Sequence, residues 1–375
     1  MRNTLSIIFV FLAIGCEPFV TEFSDSEDPL TFKATAIPDS SNIYLGGNIK
    51  VVSWNIRFGI GRFSFFGDSC GDQVIVENQD LENNMTAIAT KINEMNADVV
   101  LLQEVDIESK RTGYLNQVQY LLDNTYLNYA VYASMWEVDF VPSHGLGRVN
   151  TGNAILSKYD LTDGERIKLA LRTDHEDSLE QYFYLRRNIL KVNIPALQQG
   201  EKNLFAVNIH ATAFATDDTK QKHIDKYIEE LNIINTNGDI FVSGGDLNSV
   251  PPGSSIDFCD KDKCDEDDST YVGDHVNHRE GSYFNNFTDE PNILSPLYND
   301  YQPAIDAESY NLEDHFTHAP VTSMIDDSTF TLHDRKLDYL FTNGSWDPGS
   351  GNTHQDLWEL SDHMPVSADF IPINE

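Results

Sequence analysis

The sequence predicts a mixed α and β fold built on a pseudo-twofold pair of β-sheets. Two observations carry this. Short runs rich in apolar and β-branched residues recur at 49–56, 98–105, 203–209 and 240–242. Two segments with apolar residues at helical spacing separate them: Leu81, Met85, Ile88, Ile92 and Met95, then Ile224, Ile228, Leu231 and Ile234. The order strand, helix, strand therefore appears twice, without sequence identity between the halves. Each unit also ends its strands on polar groups, Asn55 and Glu104 in the first, His210 and Asp246 in the second. Open α/β sheets gather their ligands at such carboxyl ends.

The 375 residues suit one large domain or two small ones, and 40% are hydrophobic, enough for a sizeable core. The formal charge of -35 opposes unaided binding to a polyanion, while carboxylates in excess suit divalent cations. Residues 1–15 read as a signal peptide: Arg2 precedes an apolar run over 5–14 that is too short to span a membrane. Ala13-Ile14-Gly15-Cys16 resembles a bacterial lipoprotein lipobox, with Ala13 where Leu is usual. That resemblance implies cleavage before Cys16, lipid on its thiol and a place in the bacterial cell envelope. The alternative is an ordinary secretory peptide; either reading gives an exported protein. Residues 16–48, rich in Ser, Asp, Glu, Pro and Thr, read as an acidic flexible tether, with a strand over 32–37 as the alternative. The folded domain is expected over 49–375.

In order along the domain, a Gly- and Phe-rich loop over 58–71 follows the first strand. Residues 114–122 read as a helix, and 128–135, 151–157 and 184–194 as strands. The run 240–242 meets Gly244 and Gly245, and then Asp246-Leu247-Asn248 with Pro251 and Pro252 behind. Residues 256–270 read as an acidic solvated loop holding Cys259 and Cys264, the closest pair for a disulfide, with Cys70 left over. Strands are expected over 329–332 and 336–342, and a last one through Phe370.

Each polar candidate has a structural explanation when taken alone. Asn55 can cap a turn, Asp246 and Asn248 can form an Asx-turn, and His210 can be a satisfied core histidine. Asp362-His363 can be a surface turn. Glu104 is harder to explain this way, because an unpaired buried carboxylate is costly and calls for a cation. Together the segments Trp54-Asn55, Leu102-Gln103-Glu104, Gly152-Asn153-Ala154-Ile155-Leu156-Ser157, Gly245-Asp246-Leu247-Asn248, Leu337-Asp338-Tyr339 and Ser361-Asp362-His363 resemble, in order, the motifs of the endonuclease/exonuclease/phosphatase (DNase I-like) superfamily.

That resemblance implies an α+β fold, a four-layer α/β/β/α sandwich of two packed mixed sheets flanked by helices. It implies hydrolysis of a phosphoester with Mg2+, or with Mn2+ or Ca2+ in its place. By the motifs, Glu104 is the central metal ligand, with Asn55 beside it and Asp362 on the metal side. Asp246 orients or deprotonates the attacking water, and Asn248 helps hold nucleophile and phosphate. Asp338 orients His363, which contacts the phosphoryl group, and His210 assists the phosphate or leaving group. Arg187 and Asn153 are substrate contacts. Such chemistry depends on charge neutralisation and positioning. The expected partner is a phosphoester, nucleic acid ahead of a phospholipid headgroup, with the chain a monomer held to the membrane by its lipid. Arg57, Arg62, Phe63, Phe65, Phe66 and Arg186 offer basic and aromatic groups for a strand, or loop packing. A phosphomonoesterase, a sphingomyelinase-like activity and a non-catalytic surface binding protein are the competing readings.

Overall fold

Along Ile49–Asn55 successive side chains point to opposite faces, and both faces are buried. Ile49 and Val51 enter one apolar core, Val52 and Trp54 another. The same division runs through the molecule and sets its layers. The computed structural model describes residues 19–38, 43–67, 71–174, 178–213, 215, 217–254, 290–309, 312–319 and 332–372. The signal peptide, Cys16, Cys70, Cys259, Cys264 and the acidic loop over 256–270 lie outside the described residues, as does most of the strand expected over 329–332.

The strands, in chain order, are Ser26–Glu27 (β1), Leu30–Lys33 (β2), Ile49–Asn55 (β3), Val99–Asp106 (β4), Tyr129–Val141 (β5), Gly147–Ser157 (β6) and Thr162–Lys168 (β7). They continue with Asn188–Asn193 (β8), Leu204–His210 (β9), Ile240–Asp246 (β10), Gln302–Pro303 (β11), Asp338–Thr342 (β12), Ser345–Trp346 (β13), Asn352–Thr353 (β14) and Val366–Ile371 (β15). One sheet has the order β13-β15-β3-β4-β6-β5-β2, with β14 beside β15. The other has the order β1-β7-β8-β9-β10-β12-β11. Each sheet holds one parallel pair, β3 with β4 and β9 with β10. A parallel pair needs a crossover. Helix α1 (Asn78–Glu94) supplies the first, and a later helix, Thr219–Thr236, the second. The internal repeat expected from the sequence is therefore present, one unit in each sheet.

Between the sheets lie Val51, Leu101, Val192, Ala206, Val242, Leu340 and Ala368. Outside the first sheet, α1 and α2 (Gln117–Asn124) pack Leu81, Met85, Ile88, Ile92 and Leu121 on Trp54, Val100 and Leu102. After α3 (Ser178–Phe183), the helix Thr219–Thr236 (α4) packs Ile224, Tyr227 and Leu231 outside the second sheet. The short helices Glu290–Ile293 (α5) and Ser295–Asp300 (α6) join it there, with Leu297 on Phe341. This is the four-layer α/β/β/α sandwich. Each fully buried Val, Leu, Ile or Phe side chain stabilises it by roughly 1.5–3 kcal/mol.

Several boundaries move for identifiable reasons. Helix α2 begins at Gln117 because the Asn116 side chain accepts a bond from the Gln119 N–H and caps it. Strand β10 does not end at its glycines. It runs through Gly244 and Gly245 to Asp246, because only glycine fits there: a Cβ on Gly245 would lie 1.8 Å from the Ile209 carbonyl oxygen. Strand β7, with the sequence TDGERIK, lacks β-rich composition and was not foreseen; backbone pairing to β8 and β1 makes it.

The expected flexible tether over 16–48 is corrected over 19–37. Strand β1 pairs with β7 in one sheet and β2 with β5 in the other, so this segment straps both sheets. Its scattered apolar residues anchor it: Val20 is fully buried, and the Phe23 ring covers the Arg166 guanidinium at 3.9 Å.

Candidate active site

Four strand ends converge where the parallel pairs finish. In register, Asp246 on β10 stands between His210 on β9 and Asp338 on β12. From the facing sheet, Asn55 ends β3 and Glu104 lies near the end of β4. A buried polar link joins the two sheets just behind. The Gln103 amide donates to Asn208 Oδ1 at 2.7 Å, and the Asn208 amide donates to the carbonyls of Leu102 and Ala154. Buried hydrogen bonds that cross between two sheets favour one relative placement of the elements that carry them.

Asp246 is the most heavily bonded group. Its Oδ2 accepts from Asn55 Nδ2 at 3.2 Å and lies 3.2 Å from His210 Nε2; its Oδ1 accepts from the Asn248 N–H at 2.9 Å. Burial alone would raise its pKa, but His363, His210 and these bonds hold it well below the usual carboxylate range. His210 is buried, and burial together with Arg187 lowers its pKa to about 4, against the pull of Asp246. It is therefore neutral near pH 7. His363 is the opposite case. Its Nδ1 lies 2.8 Å from Asp338 Oδ2, and although burial opposes its charge, Asp338, Asp246 and Asp362 raise its pKa well above the usual value. Its Nε2 lies 3.7 Å from Asp246 Oδ2. Asp338 is itself raised by burial, with His363 opposing.

Glu104 sits at a register shift between Leu102 and Val105, with a φ of 56°. Such bulges re-aim side chains next to active sites. Its carboxylate makes no hydrogen bond to the described residues and lies 3.9 Å from His210 Nε2. Burial, then the charge of Asp362, pushes its pKa up to about 7, with His363 and Arg187 opposing. A divalent cation would relieve this, so the donor set of Glu104, Asp362 and Asn55 suits a hard, oxygen-liganded metal. Asp362 also faces Arg57 Nε at 3.7 Å. Among the described residues, two groups bring one ligand atom each within 4.8 Å of one another: His318, Asp362 and His363; and Asp246, Asp338 and His363. Glu104 belongs to neither.

Arg187 lies in the segment between α3 and β8. It is buried, and its Nε and Nη1 find no hydrogen-bond partner. A buried guanidinium without a partner fits an anion. Asn153, expected as a substrate contact, is corrected: it has no exposed surface, and its amide donates to the backbone and side chain of Asn188. It supports the residue after Arg187. Asn55 both bonds Asp246 and caps its own turn, its Oδ1 accepting from the Arg57 N–H. Asn248, at a φ of 46°, donates to the Ala211 carbonyl.

The loop after Asn55 packs inward. Phe65 is buried, Phe66 stacks on His144, and Phe63 and Phe66 lie against the apolar core. Arg186 reaches Glu22 of the strap at 2.6 Å, and Arg62 donates to the Ala319 carbonyl. These groups, offered by the sequence as a strand-binding surface, are largely committed to structure. Sequence reasoning missed His318 and Thr317. Thr317 Oγ1 accepts from the Leu337 and Asp338 N–H groups, and His318 bridges to His363. Neither sits in a motif, and only the return of the chain brings them to the site.

The family model described as Endonuclease/Exonuclease/phosphatase family matches residues 52–363. Comparison with curated proteins finds no match. Among solved structures, an endonuclease/exonuclease/phosphatase family protein from Leptotrichia buccalis aligns with a TM-score of 0.51 at 14% identity, over 85% of this chain and 98% of its own. An endonuclease/exonuclease/phosphatase from Beutenbergia cavernae aligns with a TM-score of 0.49 at 17% identity, over 86% of this chain and 71% of its own. TDP2 from Caenorhabditis elegans aligns with a TM-score of 0.47 at 15% identity, over 87% of this chain and 74% of its own. With the family model spanning every strand end just described, the chain belongs to the endonuclease/exonuclease/phosphatase family, whose members hydrolyse phosphoester bonds.

Proposed function

We propose that the protein is an exported, metal-dependent phosphodiesterase. One observation carries this reading: a cationic His363 held by Asp338, a carboxylate at Asp246, an unpartnered Arg187 guanidinium and an unpaired Glu104 face one another at the strand ends. A phosphoryl anion and a metal cation together would satisfy all four. Mg2+ at Glu104, Asp362 and Asn55 would supply charge neutralisation to the phosphoryl group. Arg187 binds the phosphate. His363 donates a hydrogen bond to a phosphoryl oxygen and stabilises the charge that develops there. Asp246 stays ionised and orients the attacking water, a role suited to a carboxylate already accepting three bonds and poorly suited to a strong base. Asn248 fixes Asp246 through its N–H. His210, neutral, donates from Nε2 to Asp246.

The charge count favours a diester over a monoester. Glu104, Asp246, Asp338 and Asp362 face few cations, and a monoanionic diester adds less repulsion than a dianionic monoester. Phe65 is buried and Phe63 packs against the core, so this loop is poorly placed to enter a lipid surface, and nucleic acid stays ahead of a phospholipid headgroup. The envelope location and lipid on Cys16 belong to the same proposal and rest on the N-terminal sequence.

The test is a substrate panel with purified protein: plasmid DNA, bis-p-nitrophenyl phosphate, p-nitrophenyl phosphate and sphingomyelin, each with Mg2+ or EDTA. EDTA-sensitive turnover of the diesters, faster than of the monoester, is expected. Absence of EDTA-sensitive turnover on every substrate would overturn the proposal.

A further inference from the structure

His318 stands beside the site without a role in the chemistry above. The extended segment that carries it forms single bridges to Arg335 and to His363. The His318 and His363 rings meet edge to face, 5.4 Å between centroids. His318 Nδ1 lies 2.8 Å from Asp334 Oδ1, and Asp334 is fully buried and bonded by Arg335 Nε at 2.9 Å. His363 Nδ1 is likewise held by Asp338 at 2.8 Å. Both imidazoles thus spend Nδ1 on a buried carboxylate, which leaves each Nε2 for something else. Asp362 completes the group, one ligand atom of each residue lying within 4.8 Å of the others. The competing trio of Asp246, Asp338 and His363 is less suitable, since its carboxylates already bond Asn55, His210, Asn248 and His363.

We propose that His318, Asp362 and His363 bind a borderline-soft divalent metal such as Zn2+, and that this metal blocks the phosphoesterase site. Two imidazoles and a carboxylate, with a fourth position open, are a nitrogen-rich set that Zn2+ takes and Mg2+ does not. A carboxylate behind each histidine is the outer-shell arrangement that orients such ligands. Access is present: the His318 and Asp362 side chains are 16% and 17% exposed. Occupation would release the Nε2 proton of His363 to solvent, take that nitrogen from the phosphoryl group, and take Asp362 from the oxygen set at Glu104. The binding half stands without the phosphoesterase reading; the inhibitory half rests on it.

The experiment titrates Zn2+ alone into metal-stripped full-length protein against a chromogenic chelator, and repeats it with His318→Gln and Glu104→Gln. Folding of each variant is checked by thermal melting. One Zn2+ per chain is expected, weakened at least about tenfold in His318→Gln and within about twofold of wild type in Glu104→Gln. The Co2+ complex of the wild type should show the absorption of a nitrogen-liganded, low-coordinate ion. In Mg2+-supported turnover, Zn2+ should inhibit wild type at concentrations that leave His318→Gln uninhibited. Asp334→Asn, which leaves the ligands in place, should weaken Zn2+ by about 10–100-fold. Equal Zn2+ binding in wild type and His318→Gln, or loss in Glu104→Gln alone, would overturn the site. Zn2+ binding through His318 without inhibition would overturn the blocking role alone.

Discussion

Glu104 combines a positive φ, burial and the field of Asp362, each of which opposes folding in the absence of a ligand. Its pKa is raised from 4.5 to about 7, which has a definite sign. Below about pH 4.5 both folded and unfolded forms hold the proton and nothing is lost. As pH rises through that value toward 7 the unfolded chain releases its proton first, and the metal-free protein loses up to about 3 kcal/mol. Glu104→Gln should therefore stabilise the EDTA-treated protein at pH 7.5 by about 1–3 kcal/mol, and abolish both Mg2+-dependent stabilisation and turnover. Thermal melts with EDTA and with Mg2+ read this directly; a destabilised variant, or one that still responds to Mg2+, would remove Glu104 from the metal site. Asp338 and His363 act as one unit. Asp338→Asn and His363→Ala should each lower turnover by about 10²–10³-fold, and the double variant should be no worse than His363→Ala. Additive losses in steady-state kinetics would mean that Asp338 acts elsewhere.

At the scale of elements, the placement of Asp246 depends on how closely β10 approaches its neighbours. Gly244 and Gly245 let that strand run between β9 and β12, where a Cβ at either position would meet backbone oxygen near 2 Å (2.1 Å from Tyr339 at Gly244, 1.8 Å from Ile209 at Gly245). Gly245→Ala should cost more than about 3 kcal/mol, from strain at its φ of 142° and displacement of β9, and chemical denaturation measures it. The N-terminal strap is a second such element. Phe23 covers Arg166, whose Nη2 donates to the Arg186 carbonyl at 3.0 Å, one residue before Arg187. Phe23→Ala should lower stability by about 2–3 kcal/mol and raise KM more than it lowers kcat, because the substrate-binding guanidinium loses its footing while Asp246 and His363 do not. A change in kcat alone would show that the strap does not reach Arg187.

Over the whole molecule, a formal charge of -35 repels any polyanion that approaches. If DNA is the substrate, kcat/KM on DNA should rise several-fold as monovalent salt increases from about 20 to about 150 mM, where the Debye length shortens toward 8 Å. Turnover of bis-p-nitrophenyl phosphate should change little over the same range. A steep fall for DNA instead would point to a local basic track that outweighs the net charge.

The sequence by itself determined the repeated strand, helix, strand units, the helical faces of α1 and α4, and the motif residues at the strand ends. These are local: periodicity and spacing are written within a few residues of one another. Asn55, Glu104, His210, Asp246, Asn248, Asp338 and His363 could be named because each closes a readable strand or sits in a short motif. The tertiary structure alone decided the rest. It turned an acidic stretch expected to be a tether into a strap across both sheets, because pairing satisfies backbone groups whatever the composition. It withdrew Asn153 from the substrate and the Phe-rich loop from the surface, because burial depends on what packs above. It brought His318 and Thr317 to His363 and Asp338, residues separated by a stretch of chain that carries no pattern linking them. Contacts made across such distances depend on where the chain returns, and no local feature of sequence records that return.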